Sequence, residues 1–151
     1  MENHVFQQTE GACGPASLKI ALDYFGIKKS EKELIKLCKC GKYGVDADSL
    51  LKVAVKLGLK GFIKDNSDFN DIRKNLKQKS VVIVDWFLDD DGHFGIVYDI
   101  DKENIYIQDP DLGHRRALRL DIFKRIWFTF PGAYMRTKND LQLRRMIVLH
   151  K

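Results

Sequence analysis

Apolar residues recur at two different spacings along the chain, and the change in spacing separates two kinds of structure. Before residue 81, they lie three or four positions apart, which is the period of amphipathic helices. From residue 81 onward, β-branched and aromatic residues form short runs bounded by turn residues, which is typical of strands. Helices followed by a mainly antiparallel sheet indicate an α+β fold.

The helical half of the sequence predicts four helices, and a fifth, short helix is expected over residues 120–127. The apolar face of the first helix is formed by Leu18, Ala21, Leu22 and Phe25. Capping residues and glycine stops give the boundaries. Gly26 ends the first helix, and a capping box of Ser30 and Glu33 opens the second, in which Leu34 and Leu37 are expected to face inward. The third helix begins at Asp46 or Asp48 and ends at Gly58. The fourth begins at Asn66 or Ser67.

Three consecutive strands are predicted over residues 81–87, 93–100 and 104–108. A short acidic loop, which includes Asp89 and Asp91, joins the first two, and a turn at residues 101–103 joins the second to the third. Short loops of this kind connect neighbouring antiparallel strands. Two further strands are expected at residues 132–136 and 146–149.

One cysteine stands where the first helix begins. Pro15 follows Cys13 by two positions and suits the first turn of a helix, where its missing N–H is not needed. A thiol at a helix N-terminus lies at the positive end of the helix dipole, which favours the thiolate. The position therefore makes Cys13 a candidate nucleophile, which requires a base from elsewhere in the chain.

The strand pattern supplies a base and a residue to orient it. Of the four histidines, His4 and His150 lie near the chain ends, whereas His93 opens the second strand. Asp109 closes the third strand. Because antiparallel neighbours bring the start of one strand beside the end of the next, His93 and Asp109 are expected side by side. A carboxylate in that position holds an imidazole in orientation and stabilises its cation.

The sequence resembles the bacteriocin-processing cysteine peptidases, a papain-like family that cleaves double-glycine leader peptides. The resemblance covers residues 7–127. Four short motifs carry it through their order and intervals: Gln-Thr at residues 8–9, Cys-Gly-Pro-Ala-Ser-Leu at 13–18, Gly-His-Phe at 92–94 and Ile-Gln-Asp-Pro at 107–110. The family implies a papain-like peptidase fold and no metal or organic cofactor.

The resemblance also implies a role for each matched residue. Cys13 is then the nucleophile, His93 the general base and Asp109 the residue that orients it. The family has an oxyanion-hole glutamine before the cysteine. The Gln-Thr pair points to Gln8 for this role, whereas a six-residue interval to the cysteine points to Gln7. Gln8 is favoured and Gln7 stays open.

Two positions depart from the family pattern, and one feature of many members is missing. Gly95 stands where a β-branched residue is common, and Asp99 stands where many members have glycine. Many members form the N-terminal domain of a membrane transporter. This sequence has no apolar stretch long enough to span a bilayer and no phosphate-binding glycine loop, so a free-standing member is expected.

Composition narrows the remaining possibilities. The 151 residues, 44% of them hydrophobic, predict a single domain over residues 1–151. Three cysteines and no signal-peptide pattern favour a reducing, cytoplasmic location. Cys38 and Cys40 lack the partners of a closed zinc site and are expected to be structural thiols, so no metal is predicted. The net charge of +5 comes without a nucleic-acid-binding motif, so nucleic-acid binding is not expected.

The sequence therefore predicts a peptidase that takes a peptide or protein substrate and acts through an acyl-enzyme. The alternatives are a non-hydrolytic peptide-binding module, an acyltransferase or amidase on the same fold, and an interaction protein in which Cys13 is merely packed. Core packing is expected for the aromatic residues, although Trp86 lies near the loop that leads to His93 and is a candidate for the cleft wall. Arg115 and Arg116 are expected to lie in a solvated turn, and contact with an acidic substrate is the alternative. The sequence does not determine the oligomeric state.

Overall fold

A computed structural model describes residues 13–41, 44–88, 91–110, 114–132 and 134–151. The described residues include five α-helices and a short 3-10 helix at Lys138–Asp140. The α-helices are α1 (Cys13–Tyr24), α2 (Glu31–Leu37), α3 (Ala47–Lys56), α4 (Phe69–Lys77) and α5 (Leu120–Ile126). The strands are β1 (Lys60–Lys64), β2 (Val81–Leu88), β3 (Asp91–Ile100), β4 (Asn104–Asp109), β5 (His114–Arg119), β6 (Phe128–Thr129), β7 (Gln142–Leu143) and β8 (Met146–His150).

Six of these strands form one antiparallel sheet in the order β1-β8-β2-β3-β4-β5. Strands β6 and β7 pair separately. The predicted succession of β2, β3 and β4 as antiparallel neighbours is confirmed. The α+β class is confirmed as well, with helices packed on an antiparallel sheet.

The central strands are buried on both faces, and each face has its own hydrophobic cluster. Side chains alternate between the faces of a strand, so Ile83 and Val84 on β2 point in opposite directions. Ile83 packs in a cluster with residues of α1, α2 and α3. Val84 packs in a second cluster with residues of α4 and α5. The sheet is therefore the middle of three layers.

Most predicted helix boundaries are confirmed. Ser30 and Glu33 form the expected capping box, and the Asp46 side chain accepts a hydrogen bond from the Ser49 N–H. Gly26 and Gly58 follow their helices with φ of +80° and +107°, the left-handed region that glycine adopts without strain. These local interactions are readable from sequence because each involves residues within one helical turn.

The fourth helix begins later than predicted. Asp68, rather than Asn66 or Ser67, is its N-cap and forms a capping box with Asp71. The Ser67 hydroxyl instead donates to the Lys64 carbonyl oxygen, which ends the preceding strand. Asn66 adopts a φ of +55°, which is incompatible with a helix start. Asn66, Ser67 and Asp68 are all residue types that cap helices, and the turn that follows β1 leaves Asp68 in the capping position.

Other expectations were wrong in ways that tertiary packing explains. Leu37 is 37% exposed, whereas Leu34 is fully buried, so of the two leucines only Leu34 faces inward. The described residues of the 132–136 segment form no strand, since the Asp140 carboxylate accepts hydrogen bonds from the Arg136 and Thr137 N–H groups and folds this segment into a turn. Strands β1 and β5 were missed, since neither has a continuous apolar run.

None of the helices in the described parts of the chain has the length and apolar character needed to cross a bilayer.

Asp71 offers a test of how β1 and α4 are joined. The Lys64 ammonium lies 2.8 Å from the Asp71 carboxylate, and this contact, with the Asp68 N–H, holds the pKa of Asp71 below its ordinary value of 3.8. We expect Asp71→Asn to lower the free energy of unfolding at neutral pH by about 1 kcal/mol. A carboxyl group with a lowered pKa stabilises the fold only while it is ionised. The difference in unfolding free energy between the two proteins should therefore disappear as the pH falls below 3.8 and Asp71 takes up its proton.

Urea unfolding of both proteins across this pH range measures the effect. Asp121→Asn is the matched control, since Asp121 forms an exposed ion pair with Arg119 and should contribute little. A loss for Asp71→Asn that is equal at acidic and neutral pH would contradict the assignment.

Candidate active site

Cys13 is the first residue of α1, as predicted, and is 9% exposed. The next residue, Gly14, lies against α3 and the segment before it. A Cβ on Gly14 would lie 2.5 Å from the Val45 Cγ1 atom and 3.3 Å from the Leu50 Cδ1 atom. Only a glycine permits this close approach. The start of α1 is therefore held against α3, which fixes the backbone that carries the thiol.

The direction of α1 follows from a contact at its other end. The Lys151 ammonium donates to the Phe25 carbonyl oxygen over 3.1 Å, just beyond the C-terminus of α1. Lys151 follows β8, whose Leu149 is paired with Val81 at the start of β2. A twelve-residue helix is about 18 Å long. The start of α1 therefore lies away from this contact, and the β3 residues in the hydrophobic cluster of α1 are Phe94 and Ile96, which alternate with His93.

His93 is the third residue of β3 and is partly buried. Its Cα partner on β2 is Trp86, and the two rings lie with centroids 5.9 Å apart at an interplanar angle of 31°. The Nδ1 atom of His93 is buried and has no hydrogen-bond partner among the described residues. It is bonded to neither Cys13 nor Asp109. Catalytic hydrogen bonds often form only once substrate is bound.

Asp109 ends β4, next to β3 in the sheet. The register pairs Ile96 with Gln108 and Val97 with Ile107. Continuing that alternation, Asp109 lies on the same face of the sheet as His93. Its side chain is 1% exposed, and one carboxylate oxygen lies 3.3 Å from the Arg116 Nη1 atom. The strands that carry the predicted base and orienting residue are thus neighbours, and Asp109 also has a cationic partner.

Arg116 is a residue that sequence reasoning assigned to a solvated turn. Its side chain is only 24% exposed because it lies over Asp109. The expectation was also wrong for Arg115, whose guanidinium lies 4.4 Å from the centre of the Tyr98 ring. Both arginines belong to β5, which has no apolar run to mark it. Recognising β5 as a strand would have placed Arg116 on the Asp109 face.

Gly95 provides the space that Trp86 occupies. A Cβ at this position would lie 2.8 Å from two indole ring atoms of Trp86 and 2.6 Å from the Ile107 Cγ2 atom. Trp86 is fully buried, so it packs behind His93 and does not line an open cleft. The departure from the usual β-branched residue therefore accommodates an indole that supports the imidazole ring.

Comparison with known proteins identifies the family. The family model described as the peptidase C39 family matches residues 1–131.

The chain belongs to the peptidase C39 family.

The resemblance found in the sequence motifs is thereby confirmed, and the chain is a papain-like cysteine peptidase. An uncharacterized protein of Methanothermobacter thermautotrophicus is 32% identical to the peptidase over 124 residues, which are 82% of this chain and 81% of that protein. A second, from Methanothermobacter marburgensis, is 30% identical over 126 residues, or 82% of each protein.

Solved structures show the same fold. The peptidase domain of Streptococcus ComA, a bi-functional ABC transporter involved in a quorum-sensing pathway, matches with a TM-score of 0.77 at 22% identity and covers 99% of this chain and 98% of that one. A double-glycine-motif protease from an AMS/PCAT transporter, solved with the leader peptide, matches with a TM-score of 0.71 at 20% identity and covers 99% of this chain and 91% of that one. A C39-like peptidase from Bacillus anthracis matches with a TM-score of 0.73 at 17% identity and covers 99% of this chain and 94% of that one.

The other two cysteines of the peptidase are in unreactive surroundings. Cys38 is buried at the C-terminal end of α2. Burial, with a smaller contribution from the neighbouring Cys40 thiol, raises the pKa of Cys38 to about 11. Burial also raises the pKa of Cys40. Since only a thiolate is a strong nucleophile, neither cysteine is suited to catalysis at neutral pH.

Gln7 and Gln8, the two candidates for the oxyanion-hole glutamine of the peptidase, lie outside the described residues. The choice between them stays a prediction.

The contact between Gly95 and Trp86 gives a test of how the histidine is supported. We expect Gly95→Ala to push the indole away from His93 and to lower the free energy of unfolding by about 1–3 kcal/mol, as overpacking does. Near-ultraviolet circular dichroism, which reports tryptophan packing, and urea unfolding measure the two effects.

Gly41→Ala is the matched control, because a Cβ at Gly41 meets no atom of the described residues within 4 Å. If Gly95→Ala is as stable as Gly41→Ala and has an unchanged tryptophan signal, the indole does not depend on the space at Gly95.

Proposed function

We propose that the protein hydrolyses a peptide bond through a triad of Cys13, His93 and Asp109. The observation that carries this proposal is the buried Nδ1 atom of His93, which has no hydrogen-bond partner among the described residues, in a member of a cysteine peptidase family. A buried polar atom without a partner is uncommon in folded proteins and usually has a structural or a catalytic explanation. His93 opens β3, a strand that α1 contacts, and a cysteine nucleophile needs a proton acceptor.

In the first half of the reaction, the Cys13 thiolate attacks the carbonyl carbon of the scissile peptide bond, and His93 is present as an imidazolium. The tetrahedral intermediate collapses when the carbon–nitrogen bond breaks and His93 gives its proton to the leaving amine. The product is a thioester between Cys13 and the acyl part of the substrate. His93 then takes a proton from water, whose oxygen attacks the thioester and releases the acid. Asp109 orients the imidazole throughout.

The oxyanion of the tetrahedral intermediate needs hydrogen-bond donors. The backbone N–H of Cys13 is one candidate, because the first N–H groups of a helix have no partner within the helix. The side-chain amide of Gln8, or of Gln7, is the second. A well-placed donor contributes on the order of 3 kcal/mol to transition-state stabilisation.

For the substrate, we propose a peptide with small residues before the scissile bond, of the leader-peptide type. Support comes from family membership and from the similar double-glycine-motif protease that was solved with its leader peptide. We further propose that residues 1–151 act as one peptidase domain in the cytoplasm. The non-hydrolytic and acyl-transfer alternatives make different predictions for the products that form.

The triad is tested with a library of synthetic peptides that contain double-glycine sites, with cleavage followed by mass spectrometry. We expect Cys13→Ala and His93→Ala to abolish cleavage, because the nucleophile or its base is lost. Asp109→Asn should lower kcat/KM by roughly 10²- to 10⁴-fold, since it removes the carboxylate that stabilises the imidazolium. Cys40→Ser is the control and should retain activity.

Cleavage that survives in Cys13→Ala would disprove the proposed nucleophile. Binding of a library peptide without cleavage by the unaltered protein would favour the peptide-binding alternative, and a ligated product would favour acyl transfer. In the same assay, the oxyanion glutamine is whichever of Gln8→Ala and Gln7→Ala lowers kcat by about 10²-fold or more.

A further inference from the structure

The carboxylate of Asp109 is almost completely buried and lies in contact with a cation that the proposed mechanism does not use. The Arg116 Nη1 atom is 3.3 Å from the Asp109 Oδ2 atom. The Asp109 side chain is 1% exposed and the Arg116 side chain is 24% exposed. A buried carboxylate is costly unless it is paired, and the ion pair is screened only weakly at this depth. Arg116 therefore compensates a charge that the triad requires.

The register of the sheet explains why the guanidinium reaches this position. Arg116 is the Cα partner of Ile107, and Asp109 is two residues further along β4. Residues two apart share a face of a strand, so Arg116 and Asp109 lie on the same face as His93. Arg116 approaches from β5, on the side of β4 away from β3. Asp109 is thus placed between the arginine strand and the histidine strand.

We infer that Arg116 is a positioning residue, whose guanidinium holds the Asp109 carboxylate in place on the face of the sheet that carries His93. This inference rests on the proposed function. Without the guanidinium, the buried carboxylate is expected to turn toward solvent, and in that position it does not stabilise an imidazolium at His93. The Cys13 thiolate depends on that imidazolium.

The neighbouring arginine of β5, Arg115, does not share this position. Arg115 lies on the opposite face of β5, over Tyr98. His114 is the Cα partner of Asp109, at the start of β5. An arginine always carries its charge at neutral pH. Arg116 is therefore the residue whose substitution should change the charge next to Asp109.

The test uses iodoacetamide as the probe, which needs no knowledge of the substrate. Alkylation of Cys13 is measured at about pH 6, where an ordinary thiol is almost fully protonated, with the modified peptide quantified by mass spectrometry. We expect Arg116→Met to slow alkylation of Cys13 by about ten- to a hundredfold, the range expected for loss of a charged hydrogen bond. Arg116→Lys, which restores the charge, should recover most of the rate.

Two controls separate positioning from a general loss of structure. Arg119→Met removes another arginine of β5, whose ion pair with Asp121 is exposed, and should leave the rate unchanged. In an Asp109→Asn background, Arg116→Met should have no further effect, because a residue that acts through Asp109 has nothing left to position. Circular dichroism monitors folding, and Arg116→Gln replaces Arg116→Met if the latter does not fold.

The inference is overturned if Cys13 is alkylated as fast in Arg116→Met as in Arg119→Met. It is also overturned if Arg116→Met still slows alkylation of Cys13 in the Asp109→Asn background. Failure of the proposed function gives a different result. In that case Cys13 of the His93→Ala variant is alkylated at the rate of the unaltered protein, which would mean that the Cys13 thiolate does not depend on His93.

Discussion

The pairing of β3 with β2 on one side and β4 on the other is the constraint on which the rest of the structure depends. This pairing puts Trp86 opposite His93 and Ile96 opposite Gln108. Because side chains alternate, a slip of one residue would exchange the two faces of β3 and would bring Phe94 in place of His93 opposite Trp86. The buried clusters on both faces oppose such a slip. The register of three strands thus determines where the proposed base and its carboxylate lie.

Two glycines let bulky neighbours come close to the site. Gly14 admits Val45 and Leu50 next to the cysteine, and Gly95 admits the Trp86 indole behind the histidine. Each catalytic candidate is consequently backed by packed side chains, and closely packed interiors transmit small displacements. The site is built from residues far apart in the chain, and its geometry depends on the packing of helix α1, helix α3 and the sheet together.

The features that the sequence predicted correctly were local or followed from strand alternation. Ser30, Asp46 and Gly58 mark helix boundaries through contacts within one turn, and the runs that became β2, β3 and β4 were apolar enough to be recognised. Of the family motifs, the cysteine motif lies in α1, the histidine motif in β3 and the aspartate motif at the end of β4.

The features that were missed depend on distant partners. Strand β1 has an exposed and half-buried alternation, and it is held by its pairing with β8 near the other end of the chain. Arg116 is an ordinary basic residue in sequence, and its importance appears only when β5 places it over Asp109. Burial of a charged residue against another charged residue has no periodic signature, so hydrophobic patterning does not detect it.

The central claim is that Cys13 forms a covalent bond with the acyl part of a peptide, and intact-protein mass spectrometry after rapid acid quench tests it most directly. During turnover of a cleavable peptide, the account predicts a transient mass increase equal to the acyl fragment, which peptide mapping assigns to Cys13. Turnover without any adduct, or an adduct assigned to Cys38 or Cys40, would contradict it.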